Sequence, residues 1–323
     1  MSLRKALAYI KRNNNFLITT HTNMEGDALG SALAFYRMVR KLGKHATVIS
    51  DDVIPYGYEF LPGVNNIKRP KKTSVRVKFD SFVTLDCSDI NRCGQVYRLN
   101  TNNLPILNID HHISNARFGD VNWVDPKAAS CTEMVFGLYK KLRLPLDKEI
   151  ATLLYVGILT DTGSFHYTNT TRFTHRIASE LLKYNLNISR IYKNIYENIP
   201  FDDLKLLNTI LTGIKLSNSG KVAWFQIRRG TLENKKILFD LSEQILNFGR
   251  AVKGVEVVAL FKENLKDPNQ IRVNLRSQGK VDVNKVATYF GGGGHKTASG
   301  ITISGNIRWA TEKVLRKIKD SLK

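Results

Sequence analysis

Four apolar runs in this chain each end on side chains that bind metals or protons, and no other feature constrains the fold as much. Phe16-Leu17-Ile18-Thr19-Thr20 leads into His21-Thr22-Asn23-Met24-Glu25-Gly26-Asp27. Phe82-Val83-Thr84-Leu85 leads into Asp86, and Pro105-Ile106-Leu107-Asn108-Ile109 into Asp110-His111-His112. The run from Leu153 to Thr160 ends at Asp161. Strand-like runs that close on such residues are what the carboxyl edge of an open α/β sheet offers, where crevice sites form. A single Asp or His at a strand end is explained by turn chemistry. Four such ends together predict convergence on one point.

The donor types narrow the chemistry. His21, Glu25, Asp27, Asp86, His111 and Asp161 supply two imidazoles and four carboxylates, enough for two divalent ions that share one carboxylate. No thiolate is among them, so the set suits Mn²⁺ or Mg²⁺ better than a structural zinc.

At 323 residues the chain exceeds what one core usually organises, and its 42% hydrophobic residues are enough to build two. Residues 1–187 read as a parallel-sheet domain. A helix over about 2–13, a strand ending near His21, a helix from Asp27 to about Leu42 and a strand from His45 to Ser50 make a βαβ unit. Strands ending at Asp86 and Asp110 extend the sheet. Helices follow over about Ser130–Leu142, Asp147–Leu159 and Thr171–Lys183, the second of which delivers Asp161. Residues 188–203, with Pro200, read as a connector or hinge that is partly helical. Residues 204–323 read as a second, smaller α/β domain. It carries a helix at Leu204–Leu211, a strand at Val222–Ile227 and helix at Glu243–Phe248. A strand pair, Val255–Phe261 and Ile271–Leu275, turns through Lys266-Asp267-Pro268-Asn269.

Other classes are set aside. The first residues lack the continuous apolar core of a signal peptide, and no apolar stretch reaches the length of a membrane span, so no membrane association is expected. Cys87, Cys93 and Cys131 are odd in number and have no zinc-finger spacing; they read as reduced thiols of a cytoplasmic protein. The net charge of +21, from 49 Lys and Arg against 28 Asp and Glu, favours an anionic substrate. Clusters such as Lys68-Arg69-Pro70-Lys71-Lys72 and Arg316-Lys317-Ile318-Lys319 are equally well explained as solvated faces. No helix-turn-helix, zinc finger or aromatic RNA-binding motif accompanies them, which argues against sequence-specific nucleic-acid binding. At Gly291–Gly294, His295 separates the last glycine from Lys296, so no P-loop is present.

In this order the motifs resemble the DHH phosphoesterases: a His, a carboxylate and an Asp after the first strand, a lone Asp, Asp-His-His, and a further Asp. The downstream segments Asn274-Leu275-Arg276-Ser277, Asp282-Val283-Asn284 and Gly291 to Gly300 resemble the DHH-associated substrate domain of nanoRNase/pAp-phosphatases and of enzymes acting on cyclic di-AMP or its linear product. The resemblance covers nearly the whole chain. One position departs from it: the usual Asn-Pro-Asp-Gly-Asp is here Asn23-Met24-Glu25-Gly26-Asp27. Glu25 remains a ligand in this reading, its carboxylate displaced by an extra methylene, and the missing proline frees the backbone before it.

The resemblance implies two divalent ions, Mn²⁺ first with Mg²⁺ or Co²⁺ as alternatives, bridged by Asp86 and activating a water. It implies His112 as the group that contacts the scissile phosphate or protonates the leaving oxygen, and Asp110 as the residue that orients a histidine. Arg276, Ser277, Gly292, Gly293, Gly294, His295 and Ser299 would bind substrate, Arg276 and His295 holding a phosphate away from the scissile bond. The rings of the segment Thr162–Tyr167 are open to stacking on a base. Substrates of that kind are short nucleotides: pApA, cyclic di-AMP, pAp and RNAs of a few residues, cleaved to 5′-mononucleotides. Two alternatives stay open, a pAp phosphatase/nanoRNase without cyclic-dinucleotide activity and a catalytically weakened cyclic-dinucleotide binding protein. A homodimer is also left open.

Overall fold

The computed structural model describes residues 2–70, 77–233, 237–265, 267 and 269–322, in two compact units that divide between Asn198 and Ile199. Both are α/β. Unit one contains α1 (Ser2–Arg12), β1 (Asn15–Thr19), α2 (Gly26–Lys41), β2 (His45–Val48), β3 (Ser81–Leu85), β4 (Ile106–Asp110) and β5 (Val121–Val124). It continues with α3 (Cys131–Leu142), α4 (Lys148–Asp161), α5 (Arg172–Leu182) and α6 (Ile188–Tyr196).

Its five strands are all parallel, in the order β2-β1-β3-β4-β5. The chain steps outward from β1 to β2 and then returns past β1 to β3, so the strand order reverses between β1 and β3. A sheet wound this way opens a crevice beyond the carboxyl ends of those two strands. All residues of β3 and β4 are buried, as expected of parallel strands covered on both faces. Leu85 pairs with Ile109 in register, which sets Asp86 beside Asp110. Asp86 adopts φ 54°, a left-handed turn immediately after β3, and its N–H donates to Ile109 O at 3.0 Å.

Leu153–Thr160, strand-like in composition, lies inside α4 and is a helix, as the reading from Asp147 expects. Asp147 caps it by accepting from Ile150 N at 2.9 Å. The segment packs among α2, α3 and α5, and a run buried on every side has no period to separate helix from strand. Close approach of α2 to α4 depends on two glycines one turn apart. A Cβ on Gly26 would lie 2.6 Å from the Thr160 side chain, and one on Gly30 2.4 Å from Leu153 O.

The stretch 188–203 is largely helical. Ile191 and Ile195 of α6 are packed into the core of unit one, and α7 (Phe201–Leu211) opens unit two. Unit two then has β6 (Lys215–Leu216), β7 (Val222–Ile227), α8 (Arg229–Leu232), α9 (Leu241–Ala251), β8 (Val257–Glu263) and β9 (Gln270–Ser277). It ends with α10 (Val283–Tyr289), β10 (Gly293–Gly294), β11 (Ala298–Ser304) and α11 (Ile307–Asp320). The sheet order is β10-β11-β9-β8-β7-β6, antiparallel except for the β7–β8 pair. Lys266 and Pro268 of the expected turn, and Lys71 and Lys72 of the basic cluster, lie outside the described residues. Among the described residues no helix is long and apolar enough to cross a membrane.

Candidate metal centre

The crevice beyond β1 and β3 is where His21, Asp86 and His111 meet. His21 Nε2 lies 3.4 Å from Asp86 Oδ2, and His111 Nε2 lies 3.5 Å from Asp86 Oδ1. His111 Nε2 also faces Asp161 Oδ2 at 3.1 Å and Asp27 Oδ2 at 3.8 Å. Five of the six expected ligands are thus brought together, three of them from just beyond strand ends, one from the first turn of α2 and one from the end of α4.

Each imidazole is set in one orientation by its other nitrogen. His21 Nδ1 is 2.8 Å from Thr22 O and His111 Nδ1 is 3.2 Å from Ala128 O, so both Nδ1–H groups donate to carbonyls. That leaves Nε2 for the crevice, the arrangement by which metal-binding histidines are usually held. Asp86 Oδ1 is buried and has no hydrogen-bond partner among the described residues. These atoms fit a divalent cation: oxygen and imidazole donors converge, and their outward polar atoms are already satisfied.

The electrostatics agree. Burial, then the charges of Asp86 and Asp161, push the Asp27 carboxyl well above the usual range. Burial works the same way on Asp86 but is overcome by the facing imidazoles of His111 and His21, which hold it well below. On His111 burial opposes charge, yet Asp161 and Asp86 outweigh it and raise the imidazole well above its ordinary value. Three carboxylates around one nitrogen draw positive charge into the crevice.

Asp27 is anchored from a distant helix. Its Oδ2 accepts from Cys131 N at 2.6 Å, and its Oδ1 accepts from Thr132 N at 2.9 Å and Thr132 Oγ1 at 2.8 Å. A carboxylate has about four lone-pair positions, so three are taken by the first turn of α3 and one remains on Oδ2, the oxygen nearest His111. Gly157 of α4 backs this contact, since a Cβ there would lie 2.6 Å from Asp27 Oδ1. Neither Thr132 nor Gly157 carries a local motif; only packing exposes their part.

Asp110 lies beside Asp86 and groups with it and His112. It is fully buried, and its Oδ1 is 2.7 Å from His112 Nδ1. Burial raises its carboxyl, but the adjacent His112 prevails and holds it at about 2. Glu25 occupies the N-cap position of α2 with extended backbone and makes no side-chain cap bond. It is exposed, and the structure does not gather it into the buried cluster with Asp27, Asp86 and His111. In the segment after Asp161, Gly163, Ser164 and Phe165 all have positive φ, and Phe165 stacks on His175 with centroids 5.3 Å apart.

In unit two, Gly293 and Gly294 form β10, which pairs with Gly300 and Ser299 of β11. His295 and Ala298 exchange both backbone bonds at 2.7 and 3.2 Å, so Lys296-Thr297 is a two-residue hairpin turn. A Cβ at Gly292 would lie 2.2 Å from Gly300 O, and one at Gly294 2.5 Å from Ala298 O. These glycines are therefore required by the packing of the hairpin itself. Ser299 Oγ donates to His295 O at 2.8 Å, and Ser277 Oγ donates to Val281 O at 2.6 Å. Arg276, on β9, is ion-paired with Glu243 of α9.

A parallel α/β unit with buried carboxylates and histidines at its switch point, followed by a mixed-sheet unit, defines a two-domain class. Residues 15–158 match the DHH family N-terminal domain, and residues 234–323 match the DHHA1 domain. The bifunctional oligoribonuclease and PAP phosphatase NrnA of Thermus thermophilus is 31% identical over 94% of this chain and 89% of its own length. The Bacillus subtilis protein of the same name is 28% identical over 90% of each chain. The crystal structure of an exopolyphosphatase-related protein from Bacteroides fragilis superposes with a TM-score of 0.86 at 26% identity, covering 99% of this chain and 96% of that one. The chain belongs to the DHH family.

Proposed function

We propose that this protein is a metal-dependent phosphoesterase that hydrolyses short nucleotides to 5′-mononucleotides, with linear dinucleotides such as pApA, RNAs of a few residues and pAp as substrates. The observation that carries this reading is the convergence of His21 Nε2 and His111 Nε2 on Asp86, Asp161 and Asp27, with both Nδ1–H groups tied to carbonyls. Likeness to NrnA along most of both chains supports the substrate class.

His21, Asp27, Asp86, His111 and Asp161 would hold the cations, Mn²⁺ first, with Glu25 as a ligand on the exposed side. Such ions, when bound, would lower the pKa of a bound water to about 7 and offset charge on the phosphoryl oxygens. Asp110 holds the His112 imidazole through Nδ1, so its Nε2 is the nitrogen able to contact the scissile phosphate or hand a proton to the leaving oxygen. Arg276 and His295 bind a further phosphate of the nucleotide; Gly292, Gly293, Gly294, Ser277 and Ser299 shape the hairpin and turn that present them. Glu243 keeps the guanidinium ordered, and the five N–H donors of arginine allow a phosphate to share or displace that partner.

The test is a panel on chelator-treated protein with Mn²⁺ restored: pApA, cyclic di-AMP, pAp, a short RNA and pyrophosphate. Rapid Mn²⁺-dependent turnover of pApA, short RNA and pAp, with pyrophosphate untouched, is expected. Cyclic di-AMP presents the same phosphodiester, and its turnover in the same panel would add the cyclic dinucleotide to the substrates. Tight nucleotide binding with no turnover at any metal would replace the enzyme by a binding protein.

A further inference from the structure

Beyond the ligands, a directional chain of hydrogen bonds ends at His112. Asn108 is fully buried and donates through Nδ2 to Thr84 Oγ1 and to Cys87 O, both at 2.9 Å. Its Oδ1 is left to accept, and Asn115 Nδ2 lies 2.9 Å from it. Asn115 Nδ2 also lies 2.6 Å from Asp110 Oδ2 and 3.2 Å from Cys87 O. The amide cannot be turned over, because Asn115 Oδ1 accepts from Arg117 N at 2.7 Å and a backbone N–H requires an oxygen there. Asn115 therefore presents N–H groups to Asp110, which is fully buried and has Oδ1 turned to His112.

We propose that Asn115 is a positioning residue for the reaction: by holding Oδ2 of Asp110 it fixes the carboxylate plane, and so fixes which nitrogen of His112 faces the substrate. This rests on the reading of His112 as the group that protonates the leaving oxygen. In that step the oxygen of the attacking water bonds to phosphorus, the P–O3′ bond breaks with its electron pair on O3′, and O3′ takes the proton that His112 presents at Nε2. Asp110 keeps the Nδ1–H throughout. The proton released by the attacking water goes to solvent, and solvent returns one to Nε2. A buried carboxylate deprived of one donor rotates to share its remaining contacts, which loosens the imidazole.

The experiment compares two leaving groups. The ribose alkoxide of a dinucleotide needs a proton, whereas p-nitrophenolate leaves without one. Positioned acid–base groups contribute about 100- to 10,000-fold, so partial loss of alignment in Asn115→Ala should lower the rate on pApA relative to bis(p-nitrophenyl) phosphate by about 10- to 100-fold. Bound Mn²⁺ per chain should stay as in the parent protein. Asn115→Asp keeps the shape but puts an oxygen where Asp110 needs a donor, and should shift the ratio the same way. Nitrogen-detected spectra of the His112 ring give a second readout: an Nδ1–H protected by its bond to Asp110 in the parent protein and a faster-exchanging Nδ1–H in Asn115→Ala. An unchanged rate ratio with unchanged exchange of the Nδ1–H, or equal loss on both esters together with metal, would overturn the proposal. If the parent protein fails to cleave pApA at all, the proposed function fails instead, and the imidazole spectra still decide the role of Asn115.

Discussion

Placing a single methyl group at Gly157 should separate activity from stability. In Gly157→Ala the new Cβ would lie 2.4 Å from Thr132 Cγ2, 2.5 Å from Thr132 Oγ1 and 2.6 Å from Asp27 Oδ1. Ordinary contact requires the Asp27 oxygen to withdraw by about 0.8 Å and Thr132 by about 1 Å. The backbone donors Cys131 N and Thr132 N belong to α3 and cannot follow, so the carboxylate shifts against its own anchors. A misplacement of about 1 Å near the chemistry costs about 100-fold in rate, and a loss of about 30- to 100-fold is expected here. Stability should change far less. Overpacking costs about 1–3 kcal/mol, and replacing a glycine inside a helix returns about 1 kcal/mol. Turnover of pApA in Mn²⁺, a metal titration and the thermal midpoint measure the three quantities separately. Adding Thr132→Ala removes two of the three close contacts but also withdraws the Oγ1 donor from Asp27, so activity stays low in the double variant. Parent-like rate and Mn²⁺ affinity in Gly157→Ala would refute the placement of Asp27 as a ligand held against α3 and α4.

Three further outcomes are expected. Asp86→Ala should abolish hydrolysis and release at least one metal, because this carboxylate faces both His21 and His111; retained Mn²⁺-dependent turnover would remove it from the centre. Glu25→Ala should lower the amount of metal bound per chain while leaving the thermal midpoint near that of the parent, since the side chain is exposed; unchanged stoichiometry and rate would make it a loop carboxylate only. Arg276→Ala should depress pApA turnover strongly and bis(p-nitrophenyl) phosphate turnover little, because binding energy away from the reacting centre is used to position it. Equal loss on both esters would mean that the Arg276–Glu243 pair supports the fold of unit two.

The sequence by itself carried the α/β class and named the residues that meet beyond β1 and β3. Apolar runs of strand length that close on Asp86 and Asp110-His111 are local signals, and β3 and β4 end where those runs end. The same kind of signal misled at Leu153–Thr160 when read by composition, because burial on every side erases periodicity. Tertiary structure decided the rest, since the contacts are between residues far apart in the chain. Asp27 is fixed by backbone N–H groups 104 and 105 residues downstream, which no spacing rule anticipates. Asn115 gains its place only when β3 and β4 lie side by side and bring Cys87 O, Asn108 Oδ1 and Asp110 Oδ2 around its amide. The glycines from Gly292 to Gly294 were legible as unusual backbone, but whether they are open to a ligand or pressed against β11 depends on a strand that pairs with them. Residue type and local period determine which groups are available at a strand end; the three-dimensional neighbours determine which lone pair of each group is left to act.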